Sequence, residues 1–114
     1  MEVEAYSFGR IRIGGKDYTN DVIVGANFIK PDWWRKEGHR VVLEDIEDII
    51  KAEPEIVIFG TGANGRVKVD RHVVEALRDL GAEVVISESG KAVELYNKLL
   101  RSGKRVLLAV HLTC

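Results

Sequence analysis

The spacing of apolar and polar positions changes character along the chain. Arg10 and Arg12 alternate with Ile11 and Ile13, Gly14-Gly15-Lys16-Asp17 supply a turn, and Tyr18 to Val24 follow. This period of two over Tyr6 to Gly25 predicts a β-hairpin with one face on a core. Ala26 to Arg40 has no clear period and holds Pro31, Gly38 and the adjacent Trp33 and Trp34, so it reads as a structured loop. Leu43, Ile46, Ile49 and Ile50 then recur at helical spacing among Glu44, Asp45, Glu47 and Asp48. Acids suit the positive end of a helix dipole and Pro54 is a stop, which predicts a helix ending near Ala52.

Beyond Pro54 the pattern becomes a β-α-β-α-β run. Glu55 to Phe59 is a short apolar stretch rich in β-branched residues, bounded by Pro54 and Gly60, and reads as a strand buried on both faces. Arg66 to Val69 alternate in strand-like fashion. Asp70 is placed as an N-cap, Val73, Val74, Leu77 and Leu80 form one side of a helix, and Gly81 is its C′ residue. Glu83 to Ile86 reads as a second buried strand. Ser89 is the next expected N-cap, before a helix carrying Ala92, Val93, Tyr96, Leu99 and Leu100 as far as Gly103, and Val106 to Val110 is a third apolar strand. Connections of this length with helices inside them favour parallel neighbours and right-handed crossovers, so the half from Pro54 to Cys114 is expected to be a three-strand parallel layer.

Length and composition narrow this picture to one α/β domain over residues 1–114. The chain is of single-domain size, and 46% apolar with 31% charged residues excludes extended disorder. Seventeen Lys and Arg against 18 acids leave a net charge of −1, with no overall field to attract nucleic acid or an anionic membrane. The basic cluster Lys98, Arg101, Lys104 and Arg105 sits at a helix end without interleaved aromatics and reads as a solvated face. Gln is absent while Glu, Lys and Arg are abundant, a thermophile's composition. One cysteine excludes an intramolecular disulfide. The N-terminus lacks the basic and apolar regions of a leader, and the longest apolar runs are too short to span a bilayer, so the cytoplasm is the expected compartment.

Candidate chemistry is sparse. Gly60-Thr61-Gly62-Ala63-Asn64-Gly65 fits G-x-G-x-x-G, follows a predicted strand, and has Glu88 downstream as a candidate ribose-binding acid. The dinucleotide mechanism requires the third glycine at a helix N-terminus, and here the helix begins only after Asp70. The glycines are therefore read as a strand exit, with Gly60 and Gly62 supplying positive φ. His111 and Cys114 provide an imidazole and a thiol, the partners of a cysteine nucleophile, but a terminal thiol is free to move. His111 is read as ending a strand and bonding locally. His39 and His72 lack the paired spacing of a zinc site, so no metal, no cofactor and no catalytic residue is assigned. Trp33 and Trp34 are more distinctive, because strand alternation cannot bury both rings: one belongs to the core, and the other, with Arg35, is free to wall a pocket or anchor a partner. Asn97, next to Tyr96 on the apolar stripe, needs polar company if buried.

Taken in order, Tyr6-Ser7-Phe8-Gly9, Trp34-Arg35, Gly60-Thr61-Gly62, Ala92 to Tyr96-Asn97 and His111-Leu112-Thr113-Cys114 resemble a small domain family of unknown function. It is shared by archaeal and bacterial hypothetical proteins, adipogenesis-associated Mth-type proteins and a mitochondrial complex I assembly factor. The resemblance implies a three-layer α/β domain with a mixed central sheet, in which the N-terminal ribbon packs beside the parallel layer. It also implies no established enzymatic reaction, and eukaryotic relatives that act through protein partners. Gly65 departs from the family, whose bacterial members commonly carry Gln there.

Two functional expectations follow. The first is a non-enzymatic module that binds a protein partner or itself as a homo-oligomer, using Trp33, Trp34 and Arg35. The second is a small-molecule or enzymatic pocket at the carboxyl ends of the strands, lined by Thr61, Asn64, Trp34 and His111 beside the Gly60-Thr61-Gly62 turn. The second requires the glycine turn, Trp34 and His111 to surround one concavity.

Overall fold

The structure, a computed structural model, describes residues 1–114. Its centre is a five-stranded mixed sheet made of β4 (Val22–Gly25), β5 (Phe28–Lys30), β7 (Ile56–Thr61), β9 (Glu83–Ser87) and β10 (Val106–His111). The strands lie in the order β5-β4-β10-β7-β9. β7 pairs in parallel with both β9 and β10, while β4 runs antiparallel to β10 and to β5. The parallel layer expected from Pro54 onward is present, and the N-terminal half extends it on the β10 side. A separate antiparallel ribbon is formed by β1 (Val3–Ser7), β2 (Arg10–Ile13) and β3 (Lys16–Tyr18). A two-strand parallel pair joins β6 (Arg40–Val41) to β8 (Lys68–Val69).

Side-chain alternation along the buried strands separates two apolar layers. Val22, Val24, Ile56, Ile58, Val106, Leu108 and Val110 face one side, where they meet Ile11 and Ile13 of the ribbon and Ala92, Val93 and Tyr96 of α3 (Ser89–Arg101). Ile23, Val57, Phe59, Leu107 and Ala109 face the other, against Ile49 of α1 (Glu47–Lys51) and Val73 and Leu77 of α2 (Arg71–Asp79). The domain is thus three-layered with a mixed central sheet.

Several local expectations are corrected. Tyr18 to Val24 is not one strand. The chain leaves the ribbon after Tyr18 and enters the central sheet at Val22, because the Asp21 side chain bonds the β10 end and its backbone carbonyl accepts from Trp33 N–H at 2.8 Å. The loop 26–40 contains β5 and the start of β6. The helix before Pro54 is split at Ile46 into a 3₁₀ turn, Leu43–Asp45, and α1, with Asp45 Oδ2 accepting from Val42 N–H at the start of the turn. Asp70 does cap α2, accepting from His72 N–H, and Gly81 follows at φ +89°. Ser89 does not cap α3: it is the first helical residue, after Glu88. β9 is an edge strand with one neighbour and leaves Ile86 49% exposed.

Candidate functional site

The tail His111-Leu112-Thr113-Cys114 is where the separated sequence features meet. Gly9 N–H donates to Leu112 O at 2.8 Å and the Tyr6 hydroxyl to the same carbonyl at 3.2 Å, holding the ribbon to one side of the tail. On the other side Ala63 N–H donates to Thr113 O at 2.6 Å and Arg66 N–H to Cys114 O at 3.1 Å. The Ser89 hydroxyl accepts from Gly62 N–H at 2.8 Å and donates to His111 O at 2.5 Å, joining the turn, α3 and β10. This bridging explains why Ser89 does not cap its helix.

The glycines are explained by the same packing. Gly62 has φ +105°, and a Cβ there would collide with the Cys114 carbonyl group and lie 2.9 Å from Thr113 O. Gly60 is extended, contrary to its expected positive φ, and its requirement is room: a Cβ would lie 2.8 Å from Val110 Cγ2 and 3.1 Å from Ser89 Oγ. The amides of Ala63 and Arg66 bond the tail, Gly62 N–H bonds the Ser89 hydroxyl and Gly65 N–H bonds Gly62 O, so these donors are not directed at a pyrophosphate. Thr61 is buried with its hydroxyl on Ser87 O at 3.0 Å, and Asn64 is exposed in the turn. The glycine turn borders the tail and lines no cavity.

An ionic cluster lies beneath the tail's opposite flank. Asp21 Oδ1 accepts from Leu112 N–H at 2.8 Å; its Oδ2 lies 2.7 Å from His111 Nδ1 and 2.8 Å from Arg35 Nη1. Nη1 is close to the carboxylate but out of line for a hydrogen bond, so this contact is mainly ionic, while Arg35 Nε and Nη2 donate to Gly38 O at 3.3 and 2.8 Å. Arg35 Nη2 also lies 3.1 Å from His111 Nδ1. Because Asp21 Oδ2 can only accept and lies 2.7 Å from Nδ1, the tautomer that satisfies the cluster has Nδ1–H donating to Asp21, with Nε2 accepting from the Thr113 hydroxyl at 3.2 Å. Burial pushes the Asp21 carboxyl up, but hydrogen bonds from His111 and Leu112 N–H, together with the adjacent Arg35 charge, outweigh it and hold the group below the usual carboxylate range. Asp21 is a site residue that the sequence does not single out, since a lone carboxylate between strands has no spacing signature toward His111, ninety residues away.

The adjacent tryptophans divide. Trp33 is 2% exposed, its indole N–H donates to Asp45 O at 3.0 Å, and the Arg35 guanidinium stacks 4.9 Å from its ring. Trp34 is 73% exposed. Both line an open cleft of about 280 Å³ with Asn20, Arg35, His39 and His111. The glycine turn, Asn64, Asn97 and Cys114 lie outside it. Asn97 serves the ribbon instead. Its Oδ1 accepts from Val3 N–H at 2.9 Å and its Nδ2 donates to Val3 O at 2.8 Å, so it pairs with β1 as a neighbouring strand would. The His111 ring is held by Asp21 and Thr113 and forms no bond to Cys114. No three His, Cys, Asp or Glu side chains gather as a ligand set. No helix is long and apolar enough to cross a membrane.

Comparison with known proteins places this architecture. A conserved hypothetical protein from Pyrococcus horikoshii superposes with a TM-score of 0.87 at 23% identity over 100% of both chains. A Bartonella henselae structure described as an outer membrane protein gives 0.83 at 19% identity, over 98% of this chain and 94% of its own. A Bordetella pertussis protein described as an Mth938-like domain gives 0.71 at 17% identity, over 97% and 85%. These likenesses establish a shared fold. Residues 3–111 match the family described as protein of unknown function (DUF498/DUF598), and the chain belongs to that family.

Proposed function

We propose that this chain is a non-enzymatic module that binds a protein partner, with Trp34 as the anchor of its contact surface. The observation that carries the reading is that a fully presented indole sits between two fixed neighbours. Trp33 is sunk in the core and bonded to Asp45 O, Arg35 is 5% exposed over Asp21, and Lys36 N–H is held by Asp45 Oδ1 at 3.0 Å. Such a loop has already lost the conformational freedom that binding would otherwise remove. A large amphipathic ring on a preorganised mount is the side chain most often found carrying interface energy.

A small-molecule or catalytic use of the cleft is the weaker reading. Its volume of about 280 Å³ lies at the small end of ordinary ligand pockets, roughly 300–1,000 Å³, and the cleft is open to solvent. Its most buried charged groups, Asp21, Arg35 and His111, are engaged with one another inside the fold. Immobilised wild-type chain is expected to enrich a protein that a Trp34→Ala variant with unchanged circular dichroism does not. Equal enrichment by both chains, or none by either, contradicts the proposal.

A further inference from the structure

The central sheet and the ribbon together have four outer edges, and three are blunted in ways that prevent strand pairing. β1 is bulged between Val3 and Ala5, and Asn97 occupies the backbone groups of Val3. β3 is Lys16-Asp17-Tyr18, charged over most of its length. β5 spans only three residues and ends at Lys30, which pairs with Asp48. β9 differs from all of these. It has five residues, Glu83-Val84-Val85-Ile86-Ser87, without proline, with charge only at Glu83, and it keeps unbroken register with β7 from Glu83 to Ser87.

Its hydrogen-bonding phase can be read from that register. Glu83 N–H donates to Glu55 O at 2.9 Å, so in a parallel ladder Glu83, Val85 and Ser87 turn their backbone groups toward β7. Val84 and Ile86 turn theirs outward, where no strand lies. We infer that β9 pairs antiparallel with β9 of a second copy about a two-fold axis through Val85, joining two central sheets into one.

The sequence of the strand is self-complementary in that arrangement. Val84 falls opposite Ile86 of the second copy, and each exchanges both backbone bonds with the other. Val85 meets its own counterpart as a non-hydrogen-bonded pair. Glu83 falls opposite Ser87, so like charges are never directly opposed. Ile86, 49% exposed in the single chain, gains an apolar neighbour in Val84 across the seam. The two-fold makes the contact isologous and closed, so pairing stops at a dimer. A strand from an unrelated protein would gain the same backbone bonds, but only a second copy is offered this matching of phase, charge and side chain by the chain itself. Trp34 lies at the opposite side of the sheet, beside β4 and β10, so a β9 dimer leaves both anchors free and presents them as a bivalent pair.

Size-exclusion chromatography with light scattering on the full chain tests this. Wild type is expected at twice the mass of the 12.8 kDa chain, and Ile86→Lys, which places like charges near the seam without touching the core, at the single-chain mass with unchanged circular dichroism. In a Cys114→Ala background, Val85→Cys is expected to form a disulfide-linked dimer under mild oxidation, because a non-hydrogen-bonded antiparallel pair brings Cα atoms to about 4.5 Å, inside the roughly 4.4–6.8 Å that a disulfide spans. Trp34→Ala is expected to leave the dimer intact. A monomeric wild type, a dimer that survives Ile86→Lys, a failure of Val85→Cys to cross-link, or a dimer lost in Trp34→Ala each overturns the inference. The first three leave the Trp34 reading standing, so the two proposals fail separately.

Discussion

Replacing Asp21 with Asn removes one charge from the cluster beneath the tail and little else. Asn keeps an oxygen for Leu112 N–H, which now bonds Asp21 Oδ1 at 2.8 Å, and fills nearly the same volume. What changes is that Arg35, its side chain 5% exposed, keeps a buried positive charge without its counterion 2.8 Å away, and His111 Nδ1 loses an anionic acceptor at 2.7 Å. Breaking a buried ion pair from one side costs roughly 3–5 kcal/mol. Because Arg35 lines an open cleft through which water can approach, the lower figure applies, about 3 kcal/mol. A chain of this length has a total stability of roughly 6–17 kcal/mol, so the loss is a large share of the whole. It should lower the midpoint by on the order of 12 °C. Guanidinium unfolding followed by circular dichroism measures it directly, with the midpoint expected to shift at unchanged slope. Arg35→Met alone should also destabilise, whereas the double variant should recover part of the sum, since neither charge is then left unpaired. A loss below about 1 kcal/mol, the range of exposed ion pairs, or strict additivity in the double variant, would show that the cluster does not hold the tail and loop together.

Three further outcomes follow from the same packing. Because the Asp21 carboxyl is held below its ordinary value, its contribution is complete above the unfolded value of about 4 and is lost as pH falls through the lower folded value. The acid limb of a stability-against-pH curve should therefore flatten in Asp21→Asn, and an unchanged limb would contradict the assignment. Gly62→Ala should destabilise by about 2 kcal/mol or more in urea unfolding, because it combines a φ of +105° with a collision against the Cys114 carbonyl; a neutral result would mean the tail does not cross the turn. Asn97→Ala should cost about 2 kcal/mol by leaving the N–H and C=O of Val3 without partners, and should raise amide exchange at Val3 selectively.

Strands whose side chains are buried on both faces are plain in the sequence. Ile56 to Phe59 and Val106 to Val110 are continuous apolar runs because both faces of β7 and β10 carry layers. β9 carries a similar run yet lies at the sheet's edge. Glu83 to Ile86 has nearly the composition of Glu55 to Phe59, but an apolar run reports what covers a strand's faces and is silent on whether one or two strands flank its edges. β5 escapes detection because three residues next to Pro31 carry too little period to register. Ser89 offers an N-cap by residue type, and only the approach of His111 O and Gly62 N–H shows why its hydroxyl serves elsewhere.

The candidate site divides in the same way. That one tryptophan of the adjacent pair must be exposed is legible from alternation alone, and Trp34 is that one. Arg35 and His111 stand out in the sequence, but their common partner Asp21 does not. An ion cluster assembled from a crossover, a loop and a strand end leaves no local pattern in sequence. The glycine turn, by contrast, carries a strong local pattern with another cause: its small residues admit the chain's own tail.

Isothermal titration of the enriched partner into wild type and into Trp34→Ala is the most direct test of the central claim, that Trp34 is a mounted anchor. A hot-spot tryptophan is worth at least about 2 kcal/mol, which corresponds to a dissociation constant raised roughly 30-fold. A loss of that size with the fold unchanged is the expected result, and affinities equal within about twofold would contradict Trp34 as the anchor.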